Sequence, residues 1–303
     1  MNNKICYDEN NPMRECPTIN MSPCVQPKGM GGHPGAFTNV HIRSSDGECK
    51  IACGKKISGD SIKEYEFYKK LFTTQNLPHY LENLKKFLPT FYIDDKCNKS
   101  FKTEKKESSW FGLYNKKIIS HHTNNYFIID NIMSAVGSEP KNLDFKIGFK
   151  TAFQFDKGFM GATRHRLLDN DNFSTSNRYG FRLEGATDID ELVKKAKTNP
   201  NISNYKKTSL ERGKKKQQIA LYHLDPEFVF DNFFDSKNQA IELFNELKLL
   251  WSEFLEPNIN AASRGEQSVA FIGSSILIVK GKDKITFKLI DFAHPLGNSK
   301  ETF

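Results

Sequence analysis

The sequence predicts an α+β chain in two lobes, and three observations carry that reading. Its 303 residues exceed the usual span of one domain. The early pattern runs glycine-rich turn, strand, strand, helix. The last apolar strands, SSILIV and ITFKLI, fold about a Gly-Lys-Asp-Lys turn into a hairpin that ends at Asp291. A 38% apolar share and 25 Phe supply material for a sizeable core and exclude a wholly disordered chain.

Residues 1–25, rich in Asn, Pro and Cys without periodicity, are expected to form a mobile leader. The glycine-rich QPKGMGGHPGAF follows, then strand-like segments at 37–42 and 49–55. A helix is predicted from Asp60 or Ser61, with Ile62, Tyr65, Tyr68 and Phe72 near helical spacing. A second helix ends near Phe87, stopped by Pro89, and the lysine-rich 94–109 reads as a solvated loop. YFIID at 126–130 is a buried strand. In NLDFKIG at 142–148, Leu143, Phe145 and Ile147 make an apolar face, with Asp144 and Lys146 on the other. RYGFRLEG at 178–185 is another strand. Ser236 caps a long helix whose apolar stripe is Ile241, Phe244, Leu247, Trp251 and Phe254, a scaffold element.

A net charge of +8 favours polyanionic partners: nucleic acid, lipid phosphates or phosphorylated small molecules. Against nucleic acid, the chain has two Trp and no zinc-finger or RNP-type motif. No apolar run approaches the ~18 residues of a membrane span, and the start has no signal-peptide pattern. Six cysteines fall far short of a disulfide scaffold, so an intracellular setting, cytoplasmic or nuclear, is expected. Cys49, Cys53 and His41 read as ordinary strand residues rather than metal ligands, since no C-x-x-C pair exists.

Asp144 and Lys146 lie ~6.6 Å apart along one strand face, so a carboxylate and an ammonium can address one substrate. Phosphoryl transfer needs that combination, because its catalysis is mostly positioning and charge stabilisation. An exposed surface charge pair is the plainer reading of those two residues alone. Asp291, at a strand end before Phe292, is placed to hold a divalent ion against ATP phosphates. Lys55 or Lys56 ends the second strand and Glu64 follows on the helix, as for a nucleotide-binding lysine oriented by a helix glutamate. Their order is that of a two-lobed kinase.

Pro140, Asp144, Lys146 and Gly148 spell P-x-x-x-D-x-K-x-G, which resembles the signature of the inositol polyphosphate kinase family. GGH at 31–33, EYEFY at 64–68, IIDN ending at Asn131, STSNRYGFRLEG at 174–185, GSSILIV at 273–279 and IDFAH at 290–294 resemble further blocks in family order. The resemblance covers residues 26–294 and implies a protein-kinase-like fold: an N-lobe, 26–130, with an antiparallel sheet and a helix, a hinge, and an α+β C-lobe, 131–303. It implies ATP and Mg²⁺ as cofactors, with Lys55 on the nucleotide phosphates, the Asp130 and Ile132 backbones at adenine, and Asp291 on the metal. Lys146 would grip the transferred phosphoryl, and Asp144 a reacting or ribose hydroxyl. Ser274 and His294 fall among the residues implied to meet substrate.

The segment 149–173, where the family places its inositol-binding elements, is short, so a large substrate-selecting lobe is expected to be absent. The family pattern also continues into a D-x-N-Y-L-like terminal helix, whereas this sequence ends at Phe303. Lys150, Lys157, Arg164, His165 and Arg166 are candidates for substrate phosphates, TRHR gathering three potential cations in four residues. The run from Lys206 to Lys216 reads as a solvated, nonspecifically attractive face. NISNYKKT at 201–208 favours a dedicated inositol 1,4,5-trisphosphate 3-kinase, whereas His294 and the short segment favour multikinases and hexakisphosphate kinases. The resulting expectation is a monomeric ATP-dependent kinase of soluble inositol polyphosphates with broad range. The alternative is a catalytically inactive inositol-phosphate-binding pseudokinase.

Overall fold

The computed structural model describes residues 37–43, 49–57, 61–92, 126–148, 171–172, 174–199, 222–271, 273–282, 284–292 and 295–297. The leader 1–25, the GGH turn, the loop 94–109, the TRHR segment and the run Lys206–Lys216 lie outside them.

The first sheet is antiparallel, ordered β1-β2-β4-β3, from Phe37–Arg43, Cys49–Lys56, Tyr126–Asp130 and Phe91–Tyr92 in that spatial order. Between β2 and β3 the chain forms α1 (Ser61–Thr73) and α2 (His79–Leu84), which tightens into a 3₁₀ turn to Phe87 before Pro89. On α1 the buried face is Glu64, Phe67, Tyr68 and Leu71, so Ile62, expected on the apolar face, is exposed instead.

From β4 a short connector leads through a 3₁₀ turn, Ile132–Val136, into the second sheet. Its order is β6-β5-β8-β9, again antiparallel, from β5 (Lys141–Ile147), β6 (Phe181–Ala186), β8 (Ser275–Lys280) and β9 (Ile285–Ile290). Residues 178–180, predicted as strand, instead close the helical turn α3 (Ser176–Tyr179), with Gly180 left-handed at φ 76° as its cap. After β6 come α4 (Ile189–Thr198), α5 (Pro226–Phe233) and α6 (Lys237–Leu250). Then follow a π turn (Trp251–Leu255), α7 (Glu256–Ser263) and β7 (Val269–Phe271), which pairs with β10 (Pro295–Gly297).

One face of the second sheet carries Leu143, Phe145, Leu183, Ile278, Ile285, Phe287 and Leu289 into the main core. The other face carries Asp144 and Lys146, as period-two alternation requires. Ser236 caps α6, its hydroxyl accepting from the Gln239 amide at 3.3 Å. Of the expected stripe Leu247 and Phe254 face the core, joined there by Leu243 and Leu250, whereas Ile241, Phe244 and Trp251 are exposed.

The β8–β9 turn presses on the connector. A side chain at Gly281 would place its Cβ 1.9 Å from the Val136 carbonyl oxygen, and the Lys282 amide donates to Ser138 O at 3.3 Å. Cys53 is disulfide-bonded, where the sequence reading had ordinary strand thiols.

Candidate functional site

Phe292 fixes the site. Its ring is fully buried against Phe67 (5.1 Å between centroids), Tyr68 (5.7 Å) and Phe271 (4.9 Å), tying the end of β9 to α1. The residue before it, Asp291, is held at φ 63°, a left-handed conformation that costs a non-glycine residue about 1–2 kcal/mol. Packing of Phe292 offsets that cost and aims the Asp291 carboxylate back at the first sheet.

There Lys55, at the end of β2, donates to Glu64 Oε2 at 2.7 Å and to Asp291 Oδ1 at 3.1 Å. Glu64 lies in the first turn of α1, a favourable place for a carboxylate, and tolerates burial because Lys55 is its partner. Burial alone would lower the Lys55 ammonium's affinity for its proton, but Asp291 and Glu64 outweigh it and hold the group above the ordinary lysine range. Lys146 reaches the other oxygen of Asp291, at 3.7 Å, and donates to Gly273 O at 2.7 Å. Asp291 keeps a 40% accessible side chain. Desolvation opposes its ionisation, yet the two ammonium groups prevail and bring its carboxyl down to about 2.

Asp144 sits deeper, 7% exposed, and is no surface charge pair. Burial pushes its carboxyl up to about 7; Lys146 pulls the other way, while Asp291 and Glu184 add to the rise. Ser275 faces the same carboxylate and eases its ionisation. Neither Ser275 Oγ nor Asp144 Oδ1, however, has a partner in hydrogen-bond geometry among the described residues. The buried Ser274 hydroxyl is likewise unpartnered. Asp144 Oδ1 and Ser275 Oγ, orphaned beside the Lys146 ammonium, are polar atoms that a ligand with hydroxyls and anionic oxygens would complete.

Of the remaining sequence-predicted residues, Asp130 ends β4, where its amide donates to Thr90 O at 3.0 Å and its carboxylate accepts from the Tyr92 hydroxyl. Ile132 opens the connector's 3₁₀ turn and is buried against Leu277 and Val279. Lys150, Lys157, Arg164, Arg166 and His294 lie outside the described residues. The side chain of Lys56 lies outside them too; Lys55 makes the contacts with Glu64 and Asp291 described above.

A second polar cluster lies on β6, unanticipated from sequence. Arg182, 2% exposed, donates to Asp171 Oδ1 (2.6 Å), Glu184 Oε1 (2.9 Å) and Ser176 Oγ (3.2 Å), and lies over the Tyr222 ring. The Tyr222 hydroxyl donates to Glu184 Oε2 at 2.9 Å. The signal available was Arg-x-Glu on one strand, which puts both side chains on the face shared with Lys146.

Among the described residues no group of three His, Cys, Asp or Glu could cage a metal. Asp291 nevertheless fits Mg²⁺, which is commonly held by one or two carboxylates together with substrate phosphates and water. No helix among the described residues is long and apolar enough to cross a membrane.

A comparison with curated protein sequences finds no match. Among solved structures, the chain is similar to inositol phosphate multikinase from S. cerevisiae, determined in complex with ADP and Mn²⁺. That match has 17% identity over 83% of this chain and 91% of that one, with a TM-score of 0.45. A second inositol phosphate multikinase structure matches at 16% identity over 79% and 90% of the two chains, with a TM-score of 0.41. A family model described as inositol polyphosphate kinase matches residues 126–302. That match takes in more than half of the chain, Asp144, Lys146 and Asp291 with it, and the chain belongs to the inositol polyphosphate kinase family.

Proposed function

We propose that this chain transfers the γ-phosphoryl group of ATP to a hydroxyl of a soluble inositol polyphosphate, with Mg²⁺ as the metal. The observation that carries the reading is the convergence of Lys55 and Lys146 on Asp291, with Asp144 Oδ1 left free beside them. Lys55, oriented by Glu64, holds nucleotide phosphates; Lys146 neutralises charge on the phosphoryl in flight; Asp144 accepts a hydroxyl. Asp130 and Ile132 present backbone to the base, and Ser274 lends its hydroxyl to substrate. A divalent ion on Asp291 supplies charge compensation across the phosphates.

Substrate phosphates fall to the basic residues of the short segment, Lys150, Lys157, Arg164 and Arg166, with His294. A site that gathers anions by distributed charge cannot readily reject additional ones, because specificity requires clashes or unpaired groups against the wrong ligand. Broad range follows. The pseudokinase alternative gains nothing from the geometry, since the lysine, glutamate and both aspartates stand assembled.

The test is turnover of ATP against a panel of inositol phosphates, separated by anion exchange. Transfer to more than one of them is expected, and its loss in Asp291→Asn with the melting transition retained. Wild-type turnover in Asp291→Asn would overturn the mechanism. A strict requirement for inositol 1,4,5-trisphosphate would overturn the breadth.

A further inference from the structure

Six large apolar side chains are exposed among the described residues, and five of them, Ile241, Phe244, Leu249, Trp251 and Ile259, lie on the continuous helical rod of α6, the π turn and α7. Exposed apolar residues scattered singly need no explanation, but a row along one helix marks a contact surface. Ile241, Phe244, Lys248 and Trp251 follow one another at intervals of three, four and three, the spacing of a coiled-coil seam. The π turn prolongs the row: the Glu256 amide bonds back to the Trp251 carbonyl, which keeps the exposed Glu256 one turn beyond Trp251 on the same face. At the other end a further interval of four adds the exposed Lys237. The inner face of the rod is already occupied, since Leu243, Leu247, Leu250 and Phe254 fill the core.

The order of this outer row is its own complement. Two such helices, laid antiparallel about a two-fold axis level with Glu246, set Ile241 against Trp251 of the second copy, Phe244 against its Lys248 and Lys237 against its Glu256, each contact being made twice. Every charge then meets its complement. Lys237 gains a carboxylate and Lys248 an aromatic face, and the Lys248 ammonium already lies 5.7 Å from the centroid of the Phe244 ring in its own chain. A parallel pairing would instead oppose Lys237 to Lys237, Lys248 to Lys248 and Glu256 to Glu256, like charge on like. The contact is at the small end of interface sizes, so it forms and dissolves with concentration.

We propose that the outer face of α6 and its continuation docks, antiparallel, on the same face of a second copy of this chain, in place of the monomer expected from the sequence. Aromatic anchors at the centre of a contact carry most of its binding energy, which assigns the affinity to Phe244 and Trp251. Charges at the margin set which arrangement is allowed, which assigns the register to Lys237, Lys248 and Glu256. The seam shares no residue with the site of Lys55, Lys146 and Asp291, so the inference stands apart from the kinase reading.

Sedimentation velocity over a concentration series is the test. Wild type should pass from monomer to dimer as its concentration rises through the micromolar range. Phe244→Glu, at a side chain outside the core, should raise the dissociation constant about tenfold or more with the melting transition retained. Lys237→Glu and Glu256→Lys should each weaken pairing about threefold, and the double variant carrying both should recover wild-type affinity. Within one chain the two positions are about 28 Å apart along the rod, so that recovery reports a contact between copies. Both charge variants lie on the surface and decide the question whether or not Phe244→Glu folds. A monomer at every concentration overturns the proposal, as does a dimer that Phe244→Glu leaves intact. Failure of the double charge reversal to recover affinity overturns it too, because the antiparallel register requires that pair. Binding of the monomer to vesicles of phosphatidylserine and phosphatidylcholine, lost in Phe244→Glu, would give the face to a lipid surface and equally overturn it.

Discussion

Asp144 and Asp291 pull stability in opposite directions as pH changes. Asp291 is held down at about 2, so its contribution is present above the ordinary carboxylate range and lost as pH falls toward 2. Asp144 is raised to about 7, so the folded chain holds a proton that the unfolded chain releases from about pH 4 upward. Stability therefore declines between about pH 4 and 7 on its account and is flat beyond. Asp144→Asn removes that penalty, and its melting temperature should exceed wild type by a margin that grows over this window. The upper bound at neutral pH is about 4 kcal/mol, from roughly 1.4 kcal/mol per pH unit of displacement. A margin independent of pH would refute this account of Asp144. For chemistry, Lys146→Ala should lower kcat by several orders of magnitude, whereas Lys197→Ala, on the exposed face of α4, should leave it unchanged. Equal losses would mean that the site responds only to general charge.

At the scale of elements, α6 shows how far a pattern can be read. The expected stripe ran through Ile241, Phe244, Leu247, Trp251 and Phe254; a second, sharing two of those residues, runs through Leu243, Leu247, Leu250 and Phe254. Helical spacing admits both; which one faces inward depends on what packs beneath, and the π turn at Trp251–Leu255 shifts the phase in mid-course. The structure buries the second. Leu243→Ala should accordingly cost about 2–5 kcal/mol in urea unfolding, and Phe244→Ala within about 0.5 kcal/mol. The reverse order would show that the helix is rotated. By contrast β5 and the β8–β9 hairpin were fully legible, because two-residue alternation and a glycine turn leave one solution. Asp144, Lys146 and Asp291 were found through those elements, and Glu64 through its place on the helix that follows the strand ending at Lys55 and Lys56. The polar cluster of Arg182 and Glu184 was not, since its partners Asp171 and Tyr222 come from distant segments. Sequence also left Lys55 and Lys56 undecided; the approach of α1 and Asp291 gives Lys55 two carboxylate partners that no local spacing announces.

For the molecule as a whole, the two sheets are bound by an aromatic cluster on one side, Phe67 and Tyr68 of α1 against Phe292, and by the Lys55–Asp291 ion pair on the other. With a net charge of +8, inositol phosphate affinity should fall steadily as salt rises, and a KM that is flat between low and physiological ionic strength would show that the excess charge lies away from the substrate. The seating of Gly281 on the Val136 carbonyl has a mechanical consequence. The connector between the sheets is braced from beneath by the hairpin tip, so it works as a stiff pivot rather than a tether. A joint so braced leaves little room to bend, so the spacing of the two sheets, and with it the span that Lys55 crosses to reach Asp291, is set by backbone contact as well as by opposite charge.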